Sequence, residues 1–345
     1  MRLLVVAVLV GGCGAALDEP DLGPPPAPRS ATASAATPAN GINPRLLRRF
    51  KPLRTIDPDT DPVALARVEL GKELFFDKRM SQSGTVACNS CHALDRGGAD
   101  HSPTSTGVAG KVGSRNAPTV LNAAWHMAQF WDGRAPDIEA QAKGPILNPD
   151  EMAMRTPAAV VHKLEAIPGY VEAFRAAFPG EPMDFDHVAR AIAAFEETLV
   201  TPARWDRYLR GDRTALTKTE IDGLKLFADV GCVQCHTGEL VGASMFQRVG
   251  VIEPWPNQND LGRYGITRQP ADKMVFKVPS LRNVVMTGPY FHDGSVSDLH
   301  EAVRMMGKHQ LGTELTPDEV KSIVAWLGAL SGKLAPGTMT PPKLP

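Results

Sequence analysis

Cys88-Asn-Ser-Cys91-His92 and Cys232-Val-Gln-Cys235-His236 are two copies of one pentad, and their reading decides the fold. The Cys-x-x-Cys-His spacing is that of covalent c-type haem attachment. Two thiols one short turn apart can each form a thioether to a haem vinyl group. The histidine that follows at once brings its imidazole under the same macrocycle as the proximal iron ligand. Cys88, Cys91, Cys232 and Cys235 are therefore attachment residues, His92 and His236 are iron ligands, and the chain carries two c-type haems. Two competing readings are weaker. Half a zinc site would want four ligands gathered nearby. A redox dithiol would want βαβ surroundings, which neither copy has. Neither explains a histidine directly after both pairs.

An apparent helix leads into each pentad. Gly71-Lys-Glu-Leu74-Phe75-Phe76-Asp77 resembles Gly223-Leu-Lys-Leu226-Phe227-Ala228-Asp229. Two amphipathic helices can look alike by chance, but here a pentad follows both. Helical spacing recurs at Val188, Ile192, Phe195 and Leu199, and at Val320, Ile323, Val324, Leu327 and Leu330. Thr217-Lys-Thr-Glu220 and Thr316-Pro-Asp-Glu319 have the form of capping boxes. Alternating β patterns are scarce. The expectation is a mainly α protein of two cytochrome c-like helical domains, each with one covalently attached c-type haem. An N-terminal domain would span 46–200, a C-terminal domain 201–335 and a tail 336–345.

The 345 residues carry a formal net charge of −1, so nothing points to a nucleic-acid partner. Met1-Arg2 precedes an apolar run from Leu3 to Val10, too short to span a bilayer as a mature helix. Val10-Gly11-Gly12-Cys13 resembles a bacterial lipobox, with residues 1–13 as signal and Cys13 lipidated. An ordinary secretory signal with an incidental cysteine is the alternative. Both export the chain, as covalent haem requires, to a periplasmic location, and lipidation would make its only membrane contact an anchor. Residues 14–45, rich in Pro, Ala, Ser and Thr, read as a flexible linker.

Further motifs lie around the pentads. Arg115-Asn116-Ala-Pro118-Thr119-Val-Leu121-Asn122 leads to Gln129-Phe130-Trp131-Asp132-Gly133-Arg134, then Gln141-Ala-Lys-Gly144-Pro145 and Glu151-Met152. The second half has Pro279-Ser-Leu-Arg282-Asn283, Gly288-Pro289-Tyr290-Phe291-His292-Asp293-Gly294 and Met305-Met306-Gly307. In order and spacing, from about Leu70 to Leu330, these motifs resemble the bacterial diheme cytochrome c peroxidases. The resemblance implies that the N-terminal haem reduces hydrogen peroxide to water. It implies that the C-terminal haem takes electrons from a small cytochrome c or copper protein. It further implies Met306 as axial ligand of the second iron, Glu151 as distal acid/base, Gln141 as a distal amide and Trp131 as the aromatic between the haems. Asn116, Thr287 and Pro289 match oxygen donors to a calcium ion between the domains. A homodimer is common in the family.

One position departs from the family pattern. Many members carry a blocking histidine sixteen residues past the proximal histidine; here Val108 stands there. Valine cannot ligate iron, so the first haem is expected to be open without reductive unblocking. His101, on the same loop, is the alternative ligand. Two rival functions share the diheme fold: an oxidising maturation enzyme acting on a partner protein, whose second haem uses a tyrosine, and a non-enzymatic electron carrier or redox sensor.

Overall fold

The capping signals in the sequence mark real helix starts. Thr217 Oγ1 accepts from the Glu220 N–H while the Glu220 carboxylate accepts from the Thr217 N–H at 2.8 Å. Thr316 and Glu319 repeat the arrangement, again at 2.8 Å. The structure, a computed structural model, describes residues 41–55 and 60–345. The expected signal segment, Cys13 and the linker up to residue 40 lie outside the described residues.

Twelve α-helical segments run along the described chain, several of them single turns. They are α1 (Pro44–Leu47), α2 (Pro62–Phe76), α3 (Cys88–Cys91), α4 (Ile138–Leu147), α5 (Pro157–Glu165), α6 (Pro168–Ala177), α7 (Phe185–Glu197), α8 (Arg204–Leu209), α9 (Lys218–Asp229), α10 (Tyr264–Thr267), α11 (Leu299–Met305) and α12 (Pro317–Gly328). The only sheet among the described residues is a two-stranded antiparallel ribbon, β1 (Phe246–Arg248) with β2 (Val275–Lys277). The mainly α expectation holds. Among the described residues no helix is long and apolar enough to cross a membrane.

The helix leading into each pentad crosses a later helix at close range: α2 packs on α7, and α9 on α12. The repeated glycine explains how. A Cβ at Gly71 would lie 1.8 Å from the Ala191 carbonyl oxygen, and one at Gly223 1.9 Å from that of Ser322. Only glycine lets the two backbones meet. The repeat then extends beyond its sequence signal. Asn122 and Asn283 both sit at φ 61°, and each opens a short 3₁₀ turn, Ala123–Trp125 and Val284–Met286. Both side-chain amides donate to one hydroxyl, Thr201 Oγ1, at 2.8 and 2.7 Å. Downstream, bridges Gln129–Ala135 and Tyr290–Val296 close matching loops. Trp131 in the first loop therefore corresponds to His292 in the second, and the two rings meet edge to face at 6.4 Å.

One large hydrophobic cluster gathers residues from Leu70 to Ile192, and another gathers Trp205 to Leu330. The sequence-based boundaries need correcting at the start of the chain. Ile42, inside the expected linker, is buried, and α1 begins at Pro44, so residues 41–45 belong to the packed body. Residues 46–55, expected in the N-terminal domain, pack instead with the C-terminal cluster. Phe50 lies 5.3 Å from Trp205 and 6.2 Å from Trp326, ring to ring. Burying such a ring is worth about 1.5–3 kcal/mol, which fixes a segment with little helix of its own. The Leu53 N–H donates to Asp206 Oδ1 at 2.6 Å, and Asp206 is also held by Arg282 at 2.7 Å in a fully buried pair. The tail lies across the first half: Lys72 Nζ donates to the Gly337 oxygen at 2.9 Å and Arg79 to that of Pro345 at 3.0 Å.

Candidate functional site

Each pentad folds as one tight turn. The His92 N–H donates to the Cys88 oxygen and the His236 N–H to that of Cys232, both at 3.0 Å. This holds the two cysteines and the histidine of each copy on one local surface. All four pentad cysteines are half-buried. Burial raises the pKa of Cys88 and of Cys232, the latter to about 12.

The two imidazoles are oriented alike. His92 Nδ1 lies 3.4 Å from the Gly98 oxygen, and His236 Nδ1 lies 3.3 Å from that of Val241. A carbonyl at Nδ1 keeps the proton there and leaves the Nε2 lone pair for a metal. Burial lowers the pKa of both, His236 to about 4, so the rings stay neutral as ligands must. Paired thiols with a neutral, restrained imidazole fit covalent haem at both pentads.

Around the first pentad, Glu151 is the acid within electrostatic reach of both cysteines. It follows α4, which breaks at Asn148, and the Asn148 amide donates to Glu151 Oε1 at 2.7 Å. Burial raises the Glu151 pKa; the Asn148 hydrogen bond and the Arg134 charge oppose the rise. The loop carrying Val108 is stitched to the same residue. The Val108 N–H donates to the Glu151 oxygen at 2.8 Å. A Cβ at Gly107 would sit 2.2 Å from the Asp150 oxygen, so glycine permits this approach. Val108 is buried and lines a cavity of about 460 Å³ with Gln82, Leu147, Ala153 and Met154. Gln141 is half-buried on α4, with no hydrogen bond to its side-chain amide among the described residues.

His101 faces elsewhere. Its Nδ1 is 2.9 Å from the Gly288 oxygen and its Nε2 is 2.8 Å from that of Arg96. Both ring nitrogens are engaged by backbone, so the ring braces the contact with Thr287-Gly-Pro289 rather than turning to the first pentad. The neighbouring Ser102 oxygen accepts from the Asn116 amide at 3.0 Å. Asn116, Thr287 and Pro289 thus flank one short segment, 101–102. No group of three or more His, Cys, Asp or Glu side chains suited to a metal occurs among the described residues.

At the second pentad, α11 widens into a π-type turn over Met306–Leu311. Such turns re-aim side chains and recur at functional sites. Leu311 packs beside Gly231, immediately before Cys232. Met305 and Met306 both pack against the cluster of Trp255, Met274 and Phe276, and so does Trp131. The aromatic of the first half and the methionine pair of the second therefore share one cluster. Trp131 is fixed there by Nε1–H donation to the Asn116 oxygen at 2.9 Å. Arg115 ties the halves beside it, reaching Asp132 and Asp260 at 2.6 Å each. Asn148 escaped the sequence reading, and Arg134, quoted there within its motif, was given no part beside Glu151. The Asn-Pro step at Asn148 was the available signal, since it ends a helix one turn before the acid.

Residues 65–214 match the family described as di-haem cytochrome c peroxidase. The chain is 47% identical to the cytochrome c551 peroxidase of Nitrosomonas europaea, over 82% of this chain and 84% of that one. It is 46% identical to the cytochrome c551 peroxidase of Pseudomonas aeruginosa, over 87% and 90%. A solved structure of a MauG-like protein associated with microbial copper homeostasis superposes with a TM-score of 0.71 at 29% identity, covering 85% of this chain and 96% of that one. The chain belongs to the di-haem cytochrome c peroxidase family: it is a cytochrome c peroxidase, with two haems and hydrogen peroxide as substrate.

Proposed function

We propose that this member of the di-haem cytochrome c peroxidase family reduces peroxide at its first pentad without prior reductive activation. The observation that carries the reading is the Val108 loop, hydrogen-bonded to Glu151, where a histidine would be needed to block the iron. Haem at this pentad supplies the redox-active iron at which peroxide is reduced. Cys88, Cys91 and His92 hold it. Glu151 takes the proton from one peroxide oxygen and returns it to the other, and a raised pKa suits both duties. Asn148 fixes the carboxylate, and the Gln141 amide donates to bound peroxide.

Cys232, Cys235, His236 and Met306 hold the second haem. A thioether ligand raises its potential, which suits a store for electrons received from a small cytochrome c or copper protein. Trp131 carries them between the halves. Asn116, Thr287 and Pro289 supply oxygens to calcium at the junction. The enzyme acts in the periplasm, anchored through lipidated Cys13, and forms a homodimer. An oxidising maturation role, the alternative, is disfavoured by methionine rather than tyrosine at position 306.

Spectra of the all-ferric enzyme test the reading. The expected result is one haem without a second strong protein ligand, which binds peroxide or cyanide at once. A bis-histidine low-spin signal from the first haem overturns it. Val108→His should then impose a block that is relieved only after the second haem is reduced.

A further inference from the structure

Lys277 ends β2 only 5% exposed, yet it has no carboxylate partner among the described residues. Buried lysines are rarely unpaired. Its Nζ lies 2.8 Å from His126 Nδ1. Asp132 is close enough to be felt, but both its oxygens are taken by Arg115 and Arg134. With Lys277 as an ammonium, Nδ1 of His126 must accept, which leaves the imidazole proton on Nε2. That Nε2 is buried and has no partner. The cation thus has a neutral nitrogen for one of its three hydrogens and no anion, and the Nε2–H on the far side of the ring has no acceptor. Burial pushes Lys277 down to about 7 and His126 well below its usual range, the behaviour of a cation site short of its anion.

We propose that Lys277, braced by His126 Nδ1, is the buried cation that clamps a haem propionate at the junction of the two halves. The inference rests on the two-haem reading: each haem brings two carboxylates, and these are the anions such a clamp would take. Position supports it. The Lys277 N–H donates to the Trp131 oxygen at 2.7 Å. On the same ribbon, Phe276 faces Gln247, whose Nε2 lies 4.0 Å from Cys235 Sγ. A Cβ at Gly242 would lie 2.1 Å from the Pro279 oxygen and 3.2 Å from His236 Nδ1, so the chain just beyond Lys277 abuts the second iron ligand. The ribbon favours the second haem as the owner of the propionate, and Trp131 lies alongside. The clamp pairs a negative group next to the proposed electron route and so sets the potential of the haem that owns it.

The test uses the haem-loaded enzyme with Lys277→Met, Lys277→Arg and His126→Phe. Haem content by pyridine spectrum and protein mass comes first; wild type without two haems would refute the family reading itself. Potentiometric titration of both haems and the resonance Raman propionate bending band then address the clamp. Lys277→Met should lower the ferrous-to-ferric ratio of one haem about tenfold at fixed potential, equivalent to about 59 mV, and shift its propionate band. His126→Phe should move the same haem in the same direction by less, and Lys277→Arg should leave it within about twofold. The haem that moves identifies the propionate. Unchanged potentials and band in Lys277→Met overturn the proposal, as do equal shifts of both haems with no change in the band. If Lys277→Met fails to load two haems, His126→Phe decides: no shift there overturns the clamp.

Discussion

Glu151 is asked to be a base first and an acid second, and its surroundings set how well it serves. Burial raises its pKa and Asn148 opposes the rise. The ionised form must be present to accept the peroxide proton, so turnover should fall as pH drops through a pKa above the usual glutamate value. Glu151→Gln should lose at least about 100-fold in kcat while both haems stay bound. Asn148→Ala should move the acid limb of the kcat/KM profile to higher pH; an unmoved limb would remove Asn148 from the site. Glu196 is a different case. It is buried on α7 with no hydrogen bond or ion pair to its side chain among the described residues, and burial alone raises it to about 8. Its folded pKa lies above the ordinary 4.5, so no penalty exists below about pH 4.5 and the penalty grows as pH rises to about 8. Glu196→Gln should therefore be neutral at pH 4 and stabilise by on the order of 4 kcal/mol at pH 8. Urea midpoints at the two pH values measure this, and equal gains at both would refute it.

At the scale of elements, glycine at the helix crossings separates contact from propensity. Gly71→Ala adds a methyl where the Ala191 oxygen already stands, 1.8 Å away. Alanine is the better helix former by about 1 kcal/mol, but overpacking against backbone costs more. The expected net loss is roughly 2 kcal/mol. Gly328, in the last turn of α12, has nothing within 4 Å of its missing Cβ. There the propensity gain is unopposed, and Gly328→Ala should stabilise by about 0.5–1 kcal/mol. Thermal unfolding of the two variants gives opposite signs if the crossing glycine is a matter of contact. Equal signs would mean that propensity decides at both.

Across the whole molecule, what was legible in the sequence was what repeats locally. The pentads, the helices leading into them and the capping boxes are all short-range patterns, and each appears where its spacing predicts. Contacts made by residues far apart in the chain were not legible. Phe50 joins the C-terminal cluster because Trp205 and Trp326 leave a place for it, and nothing within residues 46–55 says so. Thr201 receives both Asn122 and Asn283, a link visible only once the halves face each other. Lys277 meets His126 across the same junction. Trp131 is the element of this junction that the proposed electron route depends on. It touches the cluster shared with Met305 and Met306, is hydrogen-bonded to Asn116 and lies edge to face with His292. Trp131→Phe keeps an apolar ring in the cluster and removes the indole N–H. It should leave the spectra of both haems unchanged and slow transfer between them at least about tenfold, a barrier increase of about 1.4 kcal/mol. Stopped-flow mixing of the half-reduced enzyme with one equivalent of peroxide reads that step directly, as the rate at which the second haem is oxidised. A wild-type rate would mean that electrons cross by another path, and His292, the ring that repeats Trp131 in the second half, would be the next residue to change.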